Sequence, residues 1–325
     1  MIKISVVIPV RNEADSIAAL LDALLSQSLP PAEILITDGG STDRTREIVE
    51  EYSKTHPSIR LFCEKFALPG RGRNLAAMNA SCDWLAFIDA GVVPMRHWLE
   101  RMAECVKAGP GIDVVFGSWE PVTNSFFKEC AAIAYAYVPD PENIEEIKKA
   151  RAIFSSLMRR AVWERVGGFR EDLRSAEDNL FINKISEAGF NIDYAAEALV
   201  LWTMQPTWWR TFKRFVSYSK SNLKAGLGKQ WQASIGLRYL ALVLIVVVAS
   251  VFTRRWAVIG ILLVSLMLAV RALAALWRNR KRFRASGFRN LARFLVLLPL
   301  LLTIDMATLT GTIDWLIRDK ITGKN

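Results

Sequence analysis

Ile4–Val10 reads ISVVIPV and runs straight into Arg11, Asn12 and Glu13; Glu33–Thr37 reads EILIT and runs into Asp38-Gly39-Gly40-Ser41-Thr42-Asp43. A short, β-branched apolar run ended by turn residues is the pattern of a strand buried on both faces. Between the two runs, Ile17, Leu20, Leu21, Leu24 and Leu25 recur at helical spacing over Asp15–Ser26. A strand, a helix and a second strand with polar turns at corresponding ends make a βαβ unit, whose strands lie parallel.

The alternation continues outward. Thr42 is placed to cap a helix that runs to Tyr52. Arg60–Cys63 is a third strand, Gly72–Ala80 a helix, Trp84–Ile88 (WLAFI) a fourth strand, His97–Lys107 a helix and Asp113–Gly117 (DVVFG) a fifth strand. Further helices are expected over Asn143–Ala150 and Ala176–Ala188, the latter with Glu177 and Asp178 near its start. The fold class is therefore α/β, a doubly wound and mostly parallel sheet, with ligands at the carboxyl ends of its strands. Four cysteines, Cys63, Cys82, Cys105 and Cys130, stand without a CxxC pair or a nearby histidine, so they read as reduced core thiols. His56 and His97 are isolated and read as structural.

Charge divides the chain. Met1–Gln205 holds 22 Lys+Arg against 29 Asp+Glu, whereas Pro206–Asn325 holds 20 against 3. The positive charge flanks long apolar runs, which points to anionic lipid headgroups and away from nucleic acid. Trp208–Leu223 has Trp208, Phe212, Phe215, Val216 and Ser219 at helical steps with Arg210, Lys213, Arg214 and Lys220 elsewhere, the pattern of an interfacial helix within 206–234. About three membrane segments follow over 235–325: 235–252, 256–277 and 294–317. Arg278–Arg293 carries seven basic residues and no acid, so it is expected on the cytoplasmic side together with residues 1–205. Asp305 falls mid-segment, with Arg271 as its candidate partner. The amino terminus, with Arg11-Asn12-Glu13 directly after a short apolar run, does not read as a signal peptide.

Five motifs occur in one order: VVIPVRNE (Val6–Glu13), TDGGSTDRT (Thr37–Thr45), GRGRNLA (Gly70–Ala76), FIDAG (Phe87–Gly91), and GGF followed by AEDNLF (Gly167–Phe181). Over residues 1 to about 200 this resembles family 2 glycosyltransferases of the GT-A fold. The resemblance implies that Pro9, Arg11 and Glu13 line a nucleotide pocket, that Asp38 recognises the nucleobase, and that Arg73 and Asn74 lie near the donor. It implies that Asp89 stands near ribose and a divalent ion, Mg²⁺ or Mn²⁺, and that Asp178, beside Glu177, is the catalytic base. Gly91 stands where the family usually has the second acid of its D-x-D motif, and Gly39 where a second Asp is common. Gln205-Pro206-Thr207-Trp208-Trp209 is distantly similar to the Q-x-x-R-W motif of processive polysaccharide synthases, with Trp208 in place of Arg; the paired tryptophans read as interfacial anchors.

The expected protein is a multi-pass inner-membrane glycosyltransferase with a cytoplasmic catalytic domain. It is expected to move a sugar, with inversion, from a nucleotide-sugar donor to a membrane-associated, polyprenyl-linked acceptor in cell-surface glycan assembly. Two alternatives stand beside it: a polyprenyl-phosphate glycosyl synthase, which needs little general base, and a non-catalytic membrane scaffold, which Gly91 favours and the joint retention of Asp38, Asp89 and Asp178 opposes.

Overall fold

The computed structural model describes residues 2–109, 111–136, 143–228, 235–237, 239 and 255–321. The chain divides into two compact units, Met1–Val122 with Val138–Thr203, and Thr123–Tyr137 with Met204–Asn325. The first unit thus ends close to the expected boundary at 205, but the segment Thr123–Tyr137 joins the second.

In the first unit β1 (Ile4–Val10), α1 (Ile17–Leu25), β2 (Glu33–Asp38), α2 (Thr45–Thr55), β3 (Ile59–Cys63), α3 (Pro69–Met78), β4 (Trp84–Phe87), β5 (Val92–Pro94), α4 (Trp98–Ala108) and β6 (Val114–Val122) follow in order. One eight-stranded sheet has the order β3-β2-β1-β4-β7-β6-β8-β5, with β7 (Ser156–Arg159) and β8 (Ile192–Thr203) contributed by the second half of the unit. β3, β2, β1 and β4 pair parallel, as do β6 and β8, while β7 runs antiparallel to both its neighbours and β5 antiparallel to β8. Every residue of β2 and of β4 is buried, so both faces of the parallel half are covered. Val7, Leu35, Leu85, Phe87, Val114 and Phe116 form the centre of one core layer; fully burying side chains of this size contributes about 1.5–3 kcal/mol each.

Three strands escaped the sequence reading, β5, β7 and β8, as did the helices over Phe126–Tyr135 and Arg160–Arg165. β7 is four residues long, and β8 slips register opposite Gly117/Ser118, where the pairing jumps from Ala195 to Leu199. That irregularity destroys the alternation by which a strand is read. Helix α2 begins at Thr45, not at Thr42. Asp43 supplies the acceptor instead, taking hydrogen bonds from the Thr45 backbone N–H (3.0 Å) and hydroxyl (2.5 Å). Of the four cysteines only Cys82 and Cys130 are buried; all four are free thiols, and Cys63 is exposed at the end of the edge strand β3.

The second unit contains α5 (Phe126–Tyr135), and later α9 (Trp208–Lys224), α10 (Arg255–Arg278) and α11 (Gly287–Trp315); α6 (Ile144–Lys149), α7 (Arg160–Arg165) and α8 (Glu177–Glu187) belong to the first. Helix α9 buries Thr211, Phe215, Ser219 and Asn222 and leaves Trp209 61% exposed. It crosses α11 where Gly311 stands: a methyl there would come within 2.5 Å of the Val216 carbonyl oxygen. Two segments are long and apolar enough to cross a membrane by length and composition, Val258–Arg278 and Gly287–Asp319. The expected segment 235–252 lies outside the described residues except for 235–237 and 239. Asp305 is fully buried, and Arg271 holds both its oxygens, with Tyr239 donating to Oδ2 at 2.8 Å.

Candidate active site

The site forms at the carboxyl ends of β1, β2 and β4 and takes its floor from α3 and α8. Register places Val10 beside Asp38, so the loops after β1 and β2 leave the sheet side by side. They are stitched together. Asn12, at φ +57°, donates its backbone N–H to Ser41 Oγ (2.9 Å) and accepts from the Thr42 N–H through Oδ1 (2.8 Å). The Ala14 N–H reaches Asp43 (3.2 Å), and the Glu13 N–H reaches the Thr45 hydroxyl (2.7 Å). Asp38 is buried, its Oδ1 taking the Ser41 N–H (3.0 Å) and hydroxyl (2.5 Å). Gly39 has no room for a side chain, because a Cβ would lie 2.4 Å from the Ala67 carbonyl oxygen. Pro9 packs against Gly72, whose added Cβ would meet the proline Cβ at 3.0 Å. The Glu13 carboxylate accepts from Ser16 Oγ at 2.7 Å, and Arg11 is half-buried on the same loop.

The centre of the site is Arg73 on α3. Its guanidinium is buried, 3% exposed, and forks between Glu177 Oε1 and Asp89 Oδ1, each at 2.6 Å. Phe169 lies 5.3 Å beneath it, stacked on Phe181 at 3.9 Å and edge-on to Phe87 at 5.3 Å. A core aromatic cluster therefore fixes the height of the cation, with an added cation–π attraction. Gly167 (φ +77°) and Gly168 (φ +68°) make the turn that seats Phe169. Asn74 locks that turn: its amide donates to the Phe169 carbonyl and Glu171 (both 2.8 Å) and accepts from the Phe169 N–H (2.9 Å) and Trp163 Nε1 (3.0 Å). With those partners Asn74 holds α3 to the Gly-Gly-Phe turn. Arg71 turns aside to Glu64 (2.8 Å) and, more distantly, to Glu171.

Glu177 and Asp178 open α8 after Ala176, which sits at φ +71°. Burial pushes both carboxyls above the usual carboxylate range; Arg73 only partly offsets this, and each of the two also feels another carboxylate nearby. For Arg73 burial alone would ease proton loss, but Asp89, Glu177 and Asp178 outweigh it and hold the guanidinium firmly charged. Asp178 Oδ1 accepts from the Asn179 N–H at 2.8 Å. Four polar atoms on the segments that build this edge are buried without a hydrogen-bond partner: Thr37 Oγ1, Arg73 Nε, Ser175 Oγ and Glu177 Oε2. Unpaired buried groups carry a desolvation cost, and they are the kind of groups that a bound polar ligand satisfies. Gly91, two residues after Asp89, adopts φ +83°, where a Cβ would stand 3.9 Å from Glu13 Oε2, so its backbone disfavours the acid usual at this place in the motif. Among the described residues no three His, Cys, Asp or Glu side chains gather as a metal-binding group.

The sequence reading named Pro9, Arg11, Glu13, Asp38, Arg73, Asn74, Asp89, Glu177 and Asp178. Of these, Arg73, Asp89, Glu177 and Asp178 come together as one charged cluster, while Pro9, Glu13 and Asp38 line the paired loops. It missed Ser41, Asn12 and Phe169. Asn12 carried a signal, since Asn is enriched in the left-handed region directly after a strand; Phe169 carried only its place behind two glycines.

Residues 5–162 match the family model described as glycosyl transferase family 2. The glycosyltransferase AglE of Haloferax volcanii is 30% identical over 200 residues, 60% of this chain and 65% of that one, so the chain spans just under two thirds of that relative's length. The succinoglycan biosynthesis protein ExoA of Rhizobium meliloti is 29% identical over 235 residues, 67% of this chain and 70% of that one. Among solved structures, the mannosyltransferase PcManGT from Pyrobaculum calidifontis, in complex with GDP-Man and Mn²⁺, aligns with a TM-score of 0.60 at 20% identity over 94% of this chain and 87% of its own. Residues 1–349 of TarS from S. aureus, in complex with UDP, align with a TM-score of 0.53 at 19% identity, covering 95% and 92%.

Proposed function

With residues 5–162 belonging to glycosyl transferase family 2 and the sheet folded as GT-A, we propose that the chain is an inverting glycosyltransferase that uses a nucleotide-sugar donor and a membrane-associated, polyprenyl-linked acceptor. The observation that supports it is the buried cluster in which Arg73 forks between Asp89 and Glu177 with Asp178 alongside. A cation fixed between acids from two elements holds a base in place and faces the charge that develops on a departing diphosphate. Asp38 and the paired loops carrying Pro9, Arg11 and Glu13 take the nucleoside.

In the reaction the acceptor hydroxyl oxygen attacks the anomeric carbon from the face opposite the diphosphate. The new C–O bond forms as the bond to the diphosphate oxygen breaks, and the hydroxyl proton passes to Asp178. The nucleoside diphosphate leaves with the bonding pair, and one displacement inverts the anomeric carbon. Asp89, whose Oδ1 is held by Arg73, would be the carboxylate of this chain toward Mg²⁺ or Mn²⁺, with the donor's diphosphate and water as the other oxygen sources. When bound, such an ion neutralises charge on the leaving group.

The second unit supports the acceptor class. Its two long apolar helices and the basic segment 278–293 suit a multi-pass protein of the inner membrane, with that segment and the catalytic unit on the cytoplasmic side. A soluble acceptor gives no use for such an anchor. The test is to incubate the purified full chain with a panel of nucleotide sugars and polyprenyl-linked acceptors, reading released nucleoside diphosphate and glycosylated lipid. Absence of both nucleotide binding and transfer across the panel overturns the reading in favour of a scaffold.

A further inference from the structure

A cavity of about 380 Å³ lies within the second unit, where α10 ends and α11 begins. Trp277, Leu276 and Phe283 supply apolar lining, and Arg280, Arg284 and Arg293 line it too. The three arginines are not equivalent. Arg293 is buried and neutralised by Glu129, and it also donates to the Phe283 carbonyl at 2.7 Å. Burial alone would raise the Glu129 carboxyl, but Arg289 and Arg293 hold it below the usual range, so this pair stays ionic and fixes the cavity's back. Arg280 lies 4.0 Å from the centre of the Trp277 ring and donates to the Trp277 carbonyl at 2.8 Å. Among the described residues no carboxylate pairs with Arg280 or Arg284. Among the described residues the cavity lining thus includes two arginines without a carboxylate partner, one of them lying over an aromatic ring.

What leads to the cavity decides the class of its occupant. Along α10, Val258, Ile261, Leu262, Leu266, Val270 and Leu273 are all more than half exposed. Apart from Ile261, which adjoins Leu262, they recur every three or four residues and form one apolar stripe, which ends at Trp277, itself 67% exposed, in the cavity lining. A free phosphate has no use for such a stripe; an acyl chain does. We propose that this cavity binds the phosphate of an anionic lipid headgroup, with the lipid's chains along the α10 stripe and the phosphate between Arg280 and Arg284. Guanidinium groups recognise phosphate oxygens by charge-assisted hydrogen bonds, and Trp277 stands at the end of the apolar segment Val258–Arg278, the place in a span where interfacial tryptophans are enriched. The proposal rests on the membrane reading above but not on the glycosyl-transfer reading.

The test uses the full chain reconstituted in phosphatidylcholine vesicles doped with either phosphatidic acid or diacylglycerol of the same chains, with co-purifying lipid measured by native mass spectrometry. The wild type should retain phosphatidic acid over diacylglycerol. Arg280→Ala with Arg284→Ala should lower that retention about tenfold. Arg278→Ala with Lys281→Ala, which removes equal charge from the same segment outside the cavity lining, should lower it clearly less, because only the general surface attraction shared by every basic residue of the segment is lost. Equal loss in both double variants, or equal retention of both lipids, overturns the cavity site. Displacement of phosphatidic acid by millimolar inorganic phosphate overturns the lipid as its source. A wild-type chain recovered apart from every vesicle refutes the membrane reading on which the proposal depends. Unchanged donor binding by the Arg280/Arg284 variant would show that a failure here is separate from any failure of the glycosyltransferase assignment.

Discussion

Replacing Arg73 by Met removes the cation from the centre of the active-site cluster while keeping most of its aliphatic volume. Arg73 and Glu177 are 3% and 4% exposed at the side chain and 2.6 Å apart, so water screens neither. Charge centres about 4 Å apart attract by about 4 kcal/mol at an effective dielectric constant of about 20. Removing one partner of a buried pair typically costs about 3–5 kcal/mol, because the other charge is left uncompensated. The second contact, to Asp89 at 34% exposure, adds less because solvent reaches it. Arg73→Met is therefore expected to destabilise the chain by about 3–5 kcal/mol, a large share of the roughly 5–15 kcal/mol that holds a typical domain. Glu177→Gln should cost less, since Arg73 keeps Asp89. The double variant buries neither charge of the pair, and the cycle should return a coupling of about 2–3 kcal/mol. Urea unfolding of the detergent-solubilised chain, followed by tryptophan fluorescence, measures all four corners. Additivity of the single variants within about 0.5 kcal/mol would refute the buried bridge.

Asp178→Asn should leave donor affinity in calorimetry unchanged and lower turnover by about 10²–10⁴-fold; near-normal turnover would remove Asp178 from the mechanism. Because burial raises the Asp178 carboxyl and the base must be ionised, the acidic limb of kcat/KM should lie above the usual carboxylate range. Glu177→Gln removes an adjacent negative charge and should move that limb to lower pH, while Arg73→Met should move it higher; a limb indifferent to both would place the titration elsewhere. Gly168→Ala puts a methyl at φ +68° and 2.8 Å from Asn74 Oδ1, for a cost of about 1–3 kcal/mol. Gly189→Ala, at φ +74° with no atom within 4 Å of the new carbon, should cost less, and equal midpoints in urea would show that the Asn74 contact adds nothing. Asp305→Leu should lower the thermal midpoint in detergent more than Arg271→Leu with Asp305→Leu does, because only the single variant strands the arginine; the reverse order would deny the pair any role.

The parallel half of the sheet was legible because β1, β2 and β4 are covered on both faces, which forces unbroken apolar runs, and because the polar residues that follow them have one place to go. The antiparallel half was not. β5 is three residues long, β7 four, and β8 carries a register slip among alanines, so none of them shows a period long enough to read. The charged residues of the site were legible through motif order, but their arrangement was not. Nothing in the spacing of Arg73, Asp89 and Glu177 tells that one guanidinium serves two acids 16 and 104 positions away. The pairing of Arg271 with Asp305 was legible for a simpler reason: two lone charges in neighbouring apolar helices have few other means of satisfaction. Glu129 was missed as a partner of Arg289 and Arg293 because it lies about 160 residues upstream, in a helix that the sequence reading did not identify, within a stretch it placed in the 1–205 domain.

The hydrogen bonds between Asn12, Glu13 and Ala14 on one side and Ser41, Thr42, Asp43 and Thr45 on the other bear on how such an enzyme is re-engineered. Two loops that come from different strands form a single lip, each supplying donors or acceptors that the other lacks. Grafting either loop alone from a relative with a different donor preference would leave orphaned amides on its counterpart. The transferable module is the pair, residues 9–14 together with 38–45, and chimeras should be cut at the strands that carry them, where the backbone ladder between β1 and β2 is regular and indifferent to side chains.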